Sequence, residues 1–295
     1  MRAFMAMVHR EFIEHRGAFL YGPLALVAVL FGATILAFTV GRVDARFSGQ
    51  LFTVAPLRVY EVGFLAFGVG WSLYLISTLF FYSADGFAAD KRNNAMLFWK
   101  SMPQSDFKVL LSKLTAALTI LPGVVYGVAL LSGVLLFGVA FTTTLISGTG
   151  SVSVLAQIAG VYGQVALAIL SVVVCGLLWY MPFIALVGAT ATIVGRWAIP
   201  IAALLPALAS TLEWVTLGGV HPFATYTWRF LEGRLALPDT PYAEAWLQAA
   251  EPFNGLAFAT DLIAGIDWIQ VLIGAAFAVV VVYTASEYRR RVNDN

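Results

Sequence analysis

Residues 114–140 read LTAALTILPGVVYGVALLSGVLLFGVA, and the chain continues from there to Gly195 without one Asp, Glu, Lys, Arg or His. A membrane-spanning helix needs roughly 20 apolar residues, so this run is long enough for more than one crossing. The full sequence of 295 residues agrees, with 60% hydrophobic and only 11% charged residues, where a soluble domain has roughly 25% charged residues. The sequence therefore predicts an all-α polytopic membrane protein.

Six apolar runs predict six transmembrane helices. They lie near residues 18–40, 59–82, 109–142, 155–194, 198–216 and 267–286. The third and fourth runs exceed what a hydrocarbon core of about 30 Å requires, so we expect these helices to tilt, to protrude or to break at Pro122 and Pro182. A seventh span would put Arg289, Arg290 and Arg291 on the side opposite the amino terminus, which the preference of basic residues for the cytoplasm disfavours.

The distribution of basic residues predicts an orientation with both termini in the cytoplasm. In that orientation twelve of the seventeen Lys and Arg residues face the cytoplasm, as the positive-inside rule requires. The twelve are Arg2, Arg10, Arg16, Lys91, Arg92, Lys100, Lys108, Lys113, Arg196, Arg289, Arg290 and Arg291, and the five on the far side are Arg42, Arg46, Arg58, Arg229 and Arg234. The segment between the second and third spans then faces the cytoplasm.

The amino-terminal residues 1–16 predict an amphipathic helix that lies along the cytoplasmic membrane interface. Apolar residues recur every four positions, and the charged residues fall mostly on the other side. The apolar set is Phe4, Val8 and Phe12, and the charged set is Arg2, Arg10, Glu11 and Arg16. Such a helix acts either as a topology anchor or as a moving element.

Outside the spans, the chain has a cytoplasmic segment, residues 83–108, and an outer linker, residues 217–266, within a single domain of residues 1–295. The linker predicts two short helices that begin at Pro222 and Pro241, because proline suits the first helical turn. Their aromatic residues favour an interfacial or re-entrant position. An ordered outer cap is the alternative.

The cytoplasmic segment combines charge with exposed apolar residues. Residues 90–94 read DKRNN and residues 96–99 read MLFW, and aromatic and Met side chains beside charge are typical anchors of a protein interface. A turn follows around Pro103, after which Ser105 is placed to cap the next helix. The segment predicts either a binding site for a partner protein or a loop whose apolar residues fold back onto the bilayer.

One face of the second span carries an aromatic stripe. Its residues alternate in spacings of four and three, which places them on one side of a helix. They are Tyr60, Phe64, Phe67, Trp71, Tyr74 and Thr78, followed by Phe81. The stripe predicts either a path for an apolar cargo or ordinary helix packing.

Several kinds of site are disfavoured by the sequence. It contains no GxxxxGK[ST] phosphate loop, so the chain is not a P-loop ATPase. His9 and His15 lack the spacing of a zinc protease and His221 stands alone, so we expect no metal site. No basic tract with interleaved aromatic residues indicates nucleic-acid binding. Glu61 and Glu213 sit near span ends, and the scarcity of ionisable residues at the midplane disfavours an ion-coupled transporter.

Residues 90–114, DKRNNAMLFWKSMPQSDFKVLLSKL, resemble the cytoplasmic segment of type-2 ATP-binding-cassette (ABC) permeases. The resemblance extends more weakly through residues 180–214 and the six-span layout, and only the motif from Asp90 to Lys113 is specific. In that family the segment is a coupling helix that contacts a separate ATPase subunit. The resemblance implies this role for Asp90, Lys91, Arg92, Met96, Leu97, Phe98, Trp99 and Lys100.

The function implied by the resemblance is that of the permease subunit of an ATP-driven exporter in a bacterial cytoplasmic (inner) membrane. Two such subunits pair, here as a homodimer, each with an ABC ATPase subunit, and a hydrophobic or amphipathic cargo leaves the cytoplasm. The chain itself is then not an enzyme and holds no cofactor, since ATP and Mg²⁺ bind to the ATPase subunit. Two alternatives stay open: a membrane module that transmits force or a signal without transport, and an intramembrane enzyme, which the lack of a nucleophile and base in the spans disfavours.

Overall fold

A computed structural model describes residues 2–40, 56–92, 105–146, 152–218, 221–235, 240–248 and 251–293. Within these ranges the chain forms eleven α-helices and no strand. The helices are α1 (Arg2–Arg16), α2 (Gly22–Thr39), α3 (Pro56–Arg92), α4 (Asp106–Leu118), α5 (Ile120–Ile146), α6 (Val152–Val194), α7 (Ala198–Leu217), α8 (Tyr226–Leu235), α9 (Pro241–Gln248), α10 (Gly255–Gly265) and α11 (Trp268–Asn293). Shorter helical turns cover Gly17–Tyr21, Gly195–Trp197 and Pro222–Ala224.

Six stretches of helix in the described residues are long and apolar enough to cross a membrane. They cover Ala3–Ala37, Leu57–Ala89, Asp106–Thr142, Ala156–Val194, Ala198–Leu217 and Trp268–Arg291. The described residues confirm the all-helical class and the predicted number and order of helices that are long and apolar enough to cross a membrane.

The third span is interrupted close to Pro122, as expected. α4 ends at Leu118 and α5 begins at Ile120. Thr119 lies between them with φ −130° and ψ −79°, outside the helical region. Pro122 has no N–H to donate to the carbonyl of Leu118, so the ladder of helical hydrogen bonds loses one member at this point.

The fourth span does not break at Pro182, which removes one of the three predicted alternatives, tilt, protrusion and a break. α6 runs continuously through Pro182 for 43 residues. At 1.5 Å per residue it is about 64 Å long, roughly twice the hydrocarbon thickness. Tilt and protrusion stay as the predicted alternatives for this helix, and one continuous helix does not form the two spans that a seven-span chain requires.

α3 and α6 form the centre of the bundle and run parallel. Near one end the rings of Phe64 and Tyr162 stack with their centroids 5.4 Å apart. Near the other end Phe87 lies against Gly188, which has no side chain to keep the ring away. Because the residue numbers rise together along this contact, both helices cross in the same direction, as the second and fourth of six spans must. Buried side chains from α2, α5 and α11 complete the core.

α1 continues into the first span without a loop. The turn Gly17–Tyr21 is flanked by residues with helical backbone angles, so α1 and α2 follow each other directly. α1 also packs along α4, where Met7 and Val109 are buried together. The helix predicted at residues 1–16 is confirmed as a helix, and its position at the membrane interface stays a prediction.

The second span extends further than predicted. α3 continues to Arg92, beyond the predicted end at residue 82, and α4 begins at Asp106. Residues 83–92 of the predicted cytoplasmic segment are therefore a helical extension of the span. Ser105 caps α4 as expected, since its side-chain oxygen accepts a hydrogen bond from the N–H of Lys108 at 3.4 Å.

The linker contains three short α-helices among its described residues, one more than predicted. α9 begins at Pro241 as predicted, whereas Pro222 begins only a short helical turn and α8 begins at Tyr226. The unpredicted helix is α10, which packs against α6 through a buried cluster that includes Leu262 and Cys175. Its apolar sequence adjoins the last span and was therefore indistinguishable from it by composition.

Asn254→Ala is expected to loosen α10. The Asn254 side-chain oxygen accepts hydrogen bonds from the N–H groups of Leu256 at 3.1 Å and Ala257 at 3.0 Å. Loss of such a cap costs about 1 kcal/mol, so hydrogen exchange of residues 255–265 in lipid nanodiscs should accelerate about fivefold. Asn254→Asp keeps the acceptor and should exchange like the wild type. Equal acceleration in both variants would contradict the capping role.

Candidate functional site

The ends of α3 and α4 lie on either side of the predicted coupling segment. Asp90, Lys91 and Arg92 belong to the last turn of α3. The other residues predicted to contact an ATPase lie outside the described residues; they are Met96, Leu97, Phe98, Trp99 and Lys100. The described part of the site is its base, the region where α1, α3 and α4 meet.

A buried cluster of polar side chains joins these three helices. We call it the base cluster, and its members are Glu11, His15, Tyr82 and Lys113. Lys113 Nζ lies 3.1 Å from Glu11 Oε1, and the Tyr82 hydroxyl donates to Glu11 Oε2 at 2.9 Å. Only 4% of Glu11 and 3% of Lys113 is exposed. One carboxylate thus fastens α1 to both helices that continue into the predicted coupling segment.

Burial makes this ion pair sensitive to the loss of either member. A buried charge is tolerated when it is paired and hydrogen-bonded, and it is costly when it is not. His15 adds to the junction, since its ring meets Tyr82 edge-on at 4.6 Å and its Nδ1 lies 3.0 Å from the backbone oxygen of Glu11. The base cluster therefore holds three helix segments in one arrangement.

A second contact connects the base to the last span. Arg289 Nε, which is buried, lies 3.9 Å from Asp106 Oδ1. The rings of Phe107 and Tyr283 also meet edge-on, with centroids 6.0 Å apart. α4 therefore contacts α1, α3 and α11.

A cavity of about 650 Å³ opens beside the base, between the ends of α3 and α6. Its lining includes Phe81 and Asp85 from α3, Thr192 from α6 and Gly195 from the turn that follows. Gly195 has a φ of +60°, which a residue without a side chain adopts easily. This volume falls in the range of small-molecule sites.

Five aromatic residues of the stripe contact neighbouring helical segments, whereas Phe81 is exposed. The Trp71 Nε1 donates to Ser132 Oγ at 3.0 Å, and the Tyr60 hydroxyl donates to the carbonyl of Gly133 at 3.1 Å. The other aromatic members make similar contacts: Phe64 stacks on Tyr162, Phe67 stacks on Phe31, and the Tyr74 hydroxyl donates to the Ala18 carbonyl. The Thr78 hydroxyl donates to the Tyr74 carbonyl within α3 itself. These are the contacts of the packing alternative, and a role in cargo contact stays a prediction.

A separate apolar groove of about 580 Å³ lies between α3, α6 and the linker. Its lining includes Val69 and Leu73 from α3, Ile169 from α6 and Trp246 from α9. The residues of the aromatic stripe are not among its lining residues. This groove is not predictable from the sequence, because its aliphatic positions on α3 carry no signal that separates them from lipid-facing residues.

A buried carboxylate fastens the linker to α3. Glu61 is 1% exposed, and its Oε1 accepts a hydrogen bond from the N–H of Phe253 at 2.8 Å. Arg58 Nη1 lies 3.4 Å from Glu61 Oε2, and the Arg58 guanidinium lies over the Trp246 ring at 3.7 Å. Glu61 therefore positions the part of the linker that lines the groove.

The prediction that Glu11 lies on the charged face of α1 is wrong. Glu11 follows Met7 by one helical turn, and Met7 is buried against α4, so the two residues share the buried face. The available signal was the lone Lys113, which stands in an otherwise apolar stretch of α4 and requires a buried partner.

No metal site accompanies this cluster in the described part of the chain, where no three His, Cys, Asp or Glu side chains come close enough together to hold an ion. Comparison of the chain with protein-family models, with curated proteins and with solved structures finds no match. The functional interpretation therefore depends on the motif and on the contacts of the base.

Proposed function

We propose that this chain is the permease subunit of an ATP-driven exporter in a bacterial cytoplasmic membrane, paired with a second copy and with ABC ATPase subunits. The observation that carries the proposal is the base cluster. The segment that resembles a coupling helix connects α3 to α4, and Glu11 ties these same two helices together through Tyr82 and Lys113. Such an arrangement suits a segment that receives force from a partner.

The contacts of the base explain how force would reach the spans. Closure of the ATPase subunits on ATP would push the coupling segment, and α1, α3 and α4 would move with it as one body. The pair of Asp106 and Arg289 would carry part of the movement to α11. Because α3 packs along α6 through the centre of the bundle, the movement would change which side of the membrane a cargo path faces.

The apolar groove favours a hydrophobic or amphipathic cargo. Its walls include Val69, Leu73 and Ile169, and such a lining binds molecules by excluding water and not by pairing charges. Export of this kind also needs no catalytic group in the permease, because hydrolysis takes place in the ATPase subunit.

Trp99→Ala and Phe98→Ala are each expected to weaken binding of the ATPase by at least about 30-fold, because buried aromatic anchors contribute roughly 2 kcal/mol or more to an interface. Binding is measured by titrating purified ATPase onto the permease in lipid nanodiscs, and stimulated hydrolysis is measured alongside. Phe223→Ala, an exposed aromatic in the linker, is the matched control and should bind normally. Unchanged binding and hydrolysis in the Trp99→Ala variant would refute the coupling role.

A vesicle assay separates transport from force transmission. Inside-out vesicles that contain both subunits should accumulate a lipophilic fluorescent dye when ATP is added, and a hydrolysis-deficient ATPase should abolish the accumulation. Hydrolysis without dye movement, repeated with labelled phospholipid, would instead support the module that transmits force or a signal.

A further inference from the structure

Arg234, near the end of α8, is the largest fully buried side chain among the described residues. Its Nη1 donates to the carbonyl of Trp179 at 2.7 Å, and its Nη2 donates to the carbonyl of Gln270. The guanidinium carbon lies 4.4 Å from the centre of the Trp179 ring, and the Trp179 Nε1 donates back to the Arg234 carbonyl at 3.0 Å. One arginine thus ties the linker to the middle of α6 and to the first turn of α11.

The guanidinium reaches α6 next to Pro182. Proline has no N–H, so the carbonyl of Leu178 loses its helical donor, and the proline ring also presses on the preceding turn. Trp179, whose carbonyl accepts from Arg234, belongs to that turn. Backbone carbonyls disturbed by a proline in an apolar bundle require donors from neighbouring segments. Arg234 supplies one such donor, to the Trp179 carbonyl in the turn on which the proline ring presses, and α6 continues through Pro182.

α11 has a glycine where the arginine passes. A Cβ at Gly274 would lie 2.9 Å from Arg234 Nη2 and 3.2 Å from Pro182 Cγ, and both distances are shorter than ordinary van der Waals contact. Arg234, Pro182 and Gly274 therefore occupy one site at which α6, α8 and α11 meet. Any side chain at residue 274 would force the arginine or the proline turn to move.

The desolvation of the buried Arg234 guanidinium lowers the free-energy cost of opening this contact. Burial lowers the pKa of the Arg234 guanidinium, and the nearby Asp267 carboxylate partly offsets that effect. Two carbonyls and an indole face replace the lost water, but Arg234 Nε has no hydrogen-bond partner among the described residues. An apolar side chain would hold α8 in place without a desolvation cost, whereas an arginine regains its hydration whenever the contact opens.

We propose that Arg234 is a latch that holds the linker closed against the Pro182 turn of α6 and the start of α11. When Arg234 withdraws, the carbonyls of Trp179 and Gln270 lose its N–H donors, and α8 moves away from α6 and α11. Within the exporter, and resting on that proposed function, opening of the latch exposes the cargo path on the linker side of the membrane. The latch itself is a property of this chain alone.

Hydrogen exchange of the full chain in lipid nanodiscs tests the latch without any ATPase or cargo. Hydrogen bonds from a charged group stabilise enough that their loss changes a local opening equilibrium by roughly tenfold or more. Arg234→Met should therefore accelerate exchange of residues 226–235 by at least about tenfold while α3 stays protected. Arg234→Lys, which keeps the charge without the planar fork, should give an intermediate acceleration. Arg229→Met changes an exposed arginine on the same helix and should leave exchange unchanged.

A double-mutant cycle tests the link to α11. Gly274→Ala places a Cβ where the guanidinium lies and so already disturbs the latch, so Arg234→Met in that background should accelerate exchange by less than about threefold. Equal acceleration in both backgrounds would overturn the latch, and so would acceleration that spreads equally over α3 and α8. Failure of dye transport in the assembled complex would contradict the proposed exporter function and not the latch, because the exchange experiment contains neither ATPase nor cargo.

Discussion

Lys113→Met is expected to destabilise the protein by about 3–5 kcal/mol, because it leaves the buried Glu11 carboxylate without its ion-pair partner. The Tyr82 hydroxyl still donates to Glu11, but a neutral donor does not replace the charge of an ammonium group. Thermal unfolding in detergent measures the effect, and the midpoint should fall by at least about 6 °C. Exchange should accelerate first in α1, since Glu11 is its fastening to α3 and α4.

Two further variants separate the ion pair from general effects of the substitution. Lys108→Met removes an exposed lysine from the same helix and should shift the midpoint by less than about 1 °C. Combining Glu11→Gln with Lys113→Met removes both charges and should recover much of the loss, because no unpaired charge stays buried. Equal midpoints for Lys113→Met and Lys108→Met would show that the base cluster does not hold these helices together.

Gly255→Ala is expected to separate α10 from α6. A Cβ at residue 255 would lie 1.8 Å from the carbonyl oxygen of Gln164 and 2.6 Å from its carbonyl carbon. These are backbone atoms of a long helix and cannot rotate aside, so the contact must open at a cost of about 3 kcal/mol or more. The hydrogen bond from the Gly255 N–H to Gln164 Oε1, now 2.9 Å long, would be lost as well. Thermal unfolding and exchange of residues 255–265 report both effects.

The neighbouring Gly163 supplies the control. A Cβ there meets no atom within 4 Å, so Gly163→Ala should stabilise α6 slightly, by up to about 1 kcal/mol, through better helix propensity. If Gly255→Ala unfolded at the same temperature as Gly163→Ala, the close approach of α10 to α6 would be wrong.

Two prolines show where the rule that proline interrupts a helix succeeds in this chain and where it fails. Pro122 lies in the first turn of α5, where its missing N–H would have no partner in any case, so an interruption before it follows from sequence. Pro182 lies inside α6, and the same rule predicts a break that is absent. Arg234, more than fifty residues further along the chain, donates to the Trp179 carbonyl in the turn before Pro182, a tertiary contact that a rule for single residues does not include.

The candidate site divides in the same way. The coupling motif at residues 90–113 is contiguous in sequence, so its charged and aromatic residues can be identified from the sequence alone. The base cluster is not contiguous, since Glu11 and Lys113 come from α1 and α4. Helical periodicity allowed Glu11 to lie on either face of α1, and its charge favoured the exposed one; the buried position follows only from the approach of Lys113.

Length and apolar composition alone determined the number of predicted spans and the helical class. Each segment that crosses a membrane needs roughly 20 apolar residues, and its backbone N–H and C=O groups must be hydrogen-bonded within the segment. The tertiary structure decided the other features: the partners of Glu11, Glu61 and Arg234, the continuity of α6 and the existence of α10. The cost of burying a charge or a carbonyl depends on the donors and acceptors that neighbouring helices bring to it, and that proximity is a property of the folded bundle.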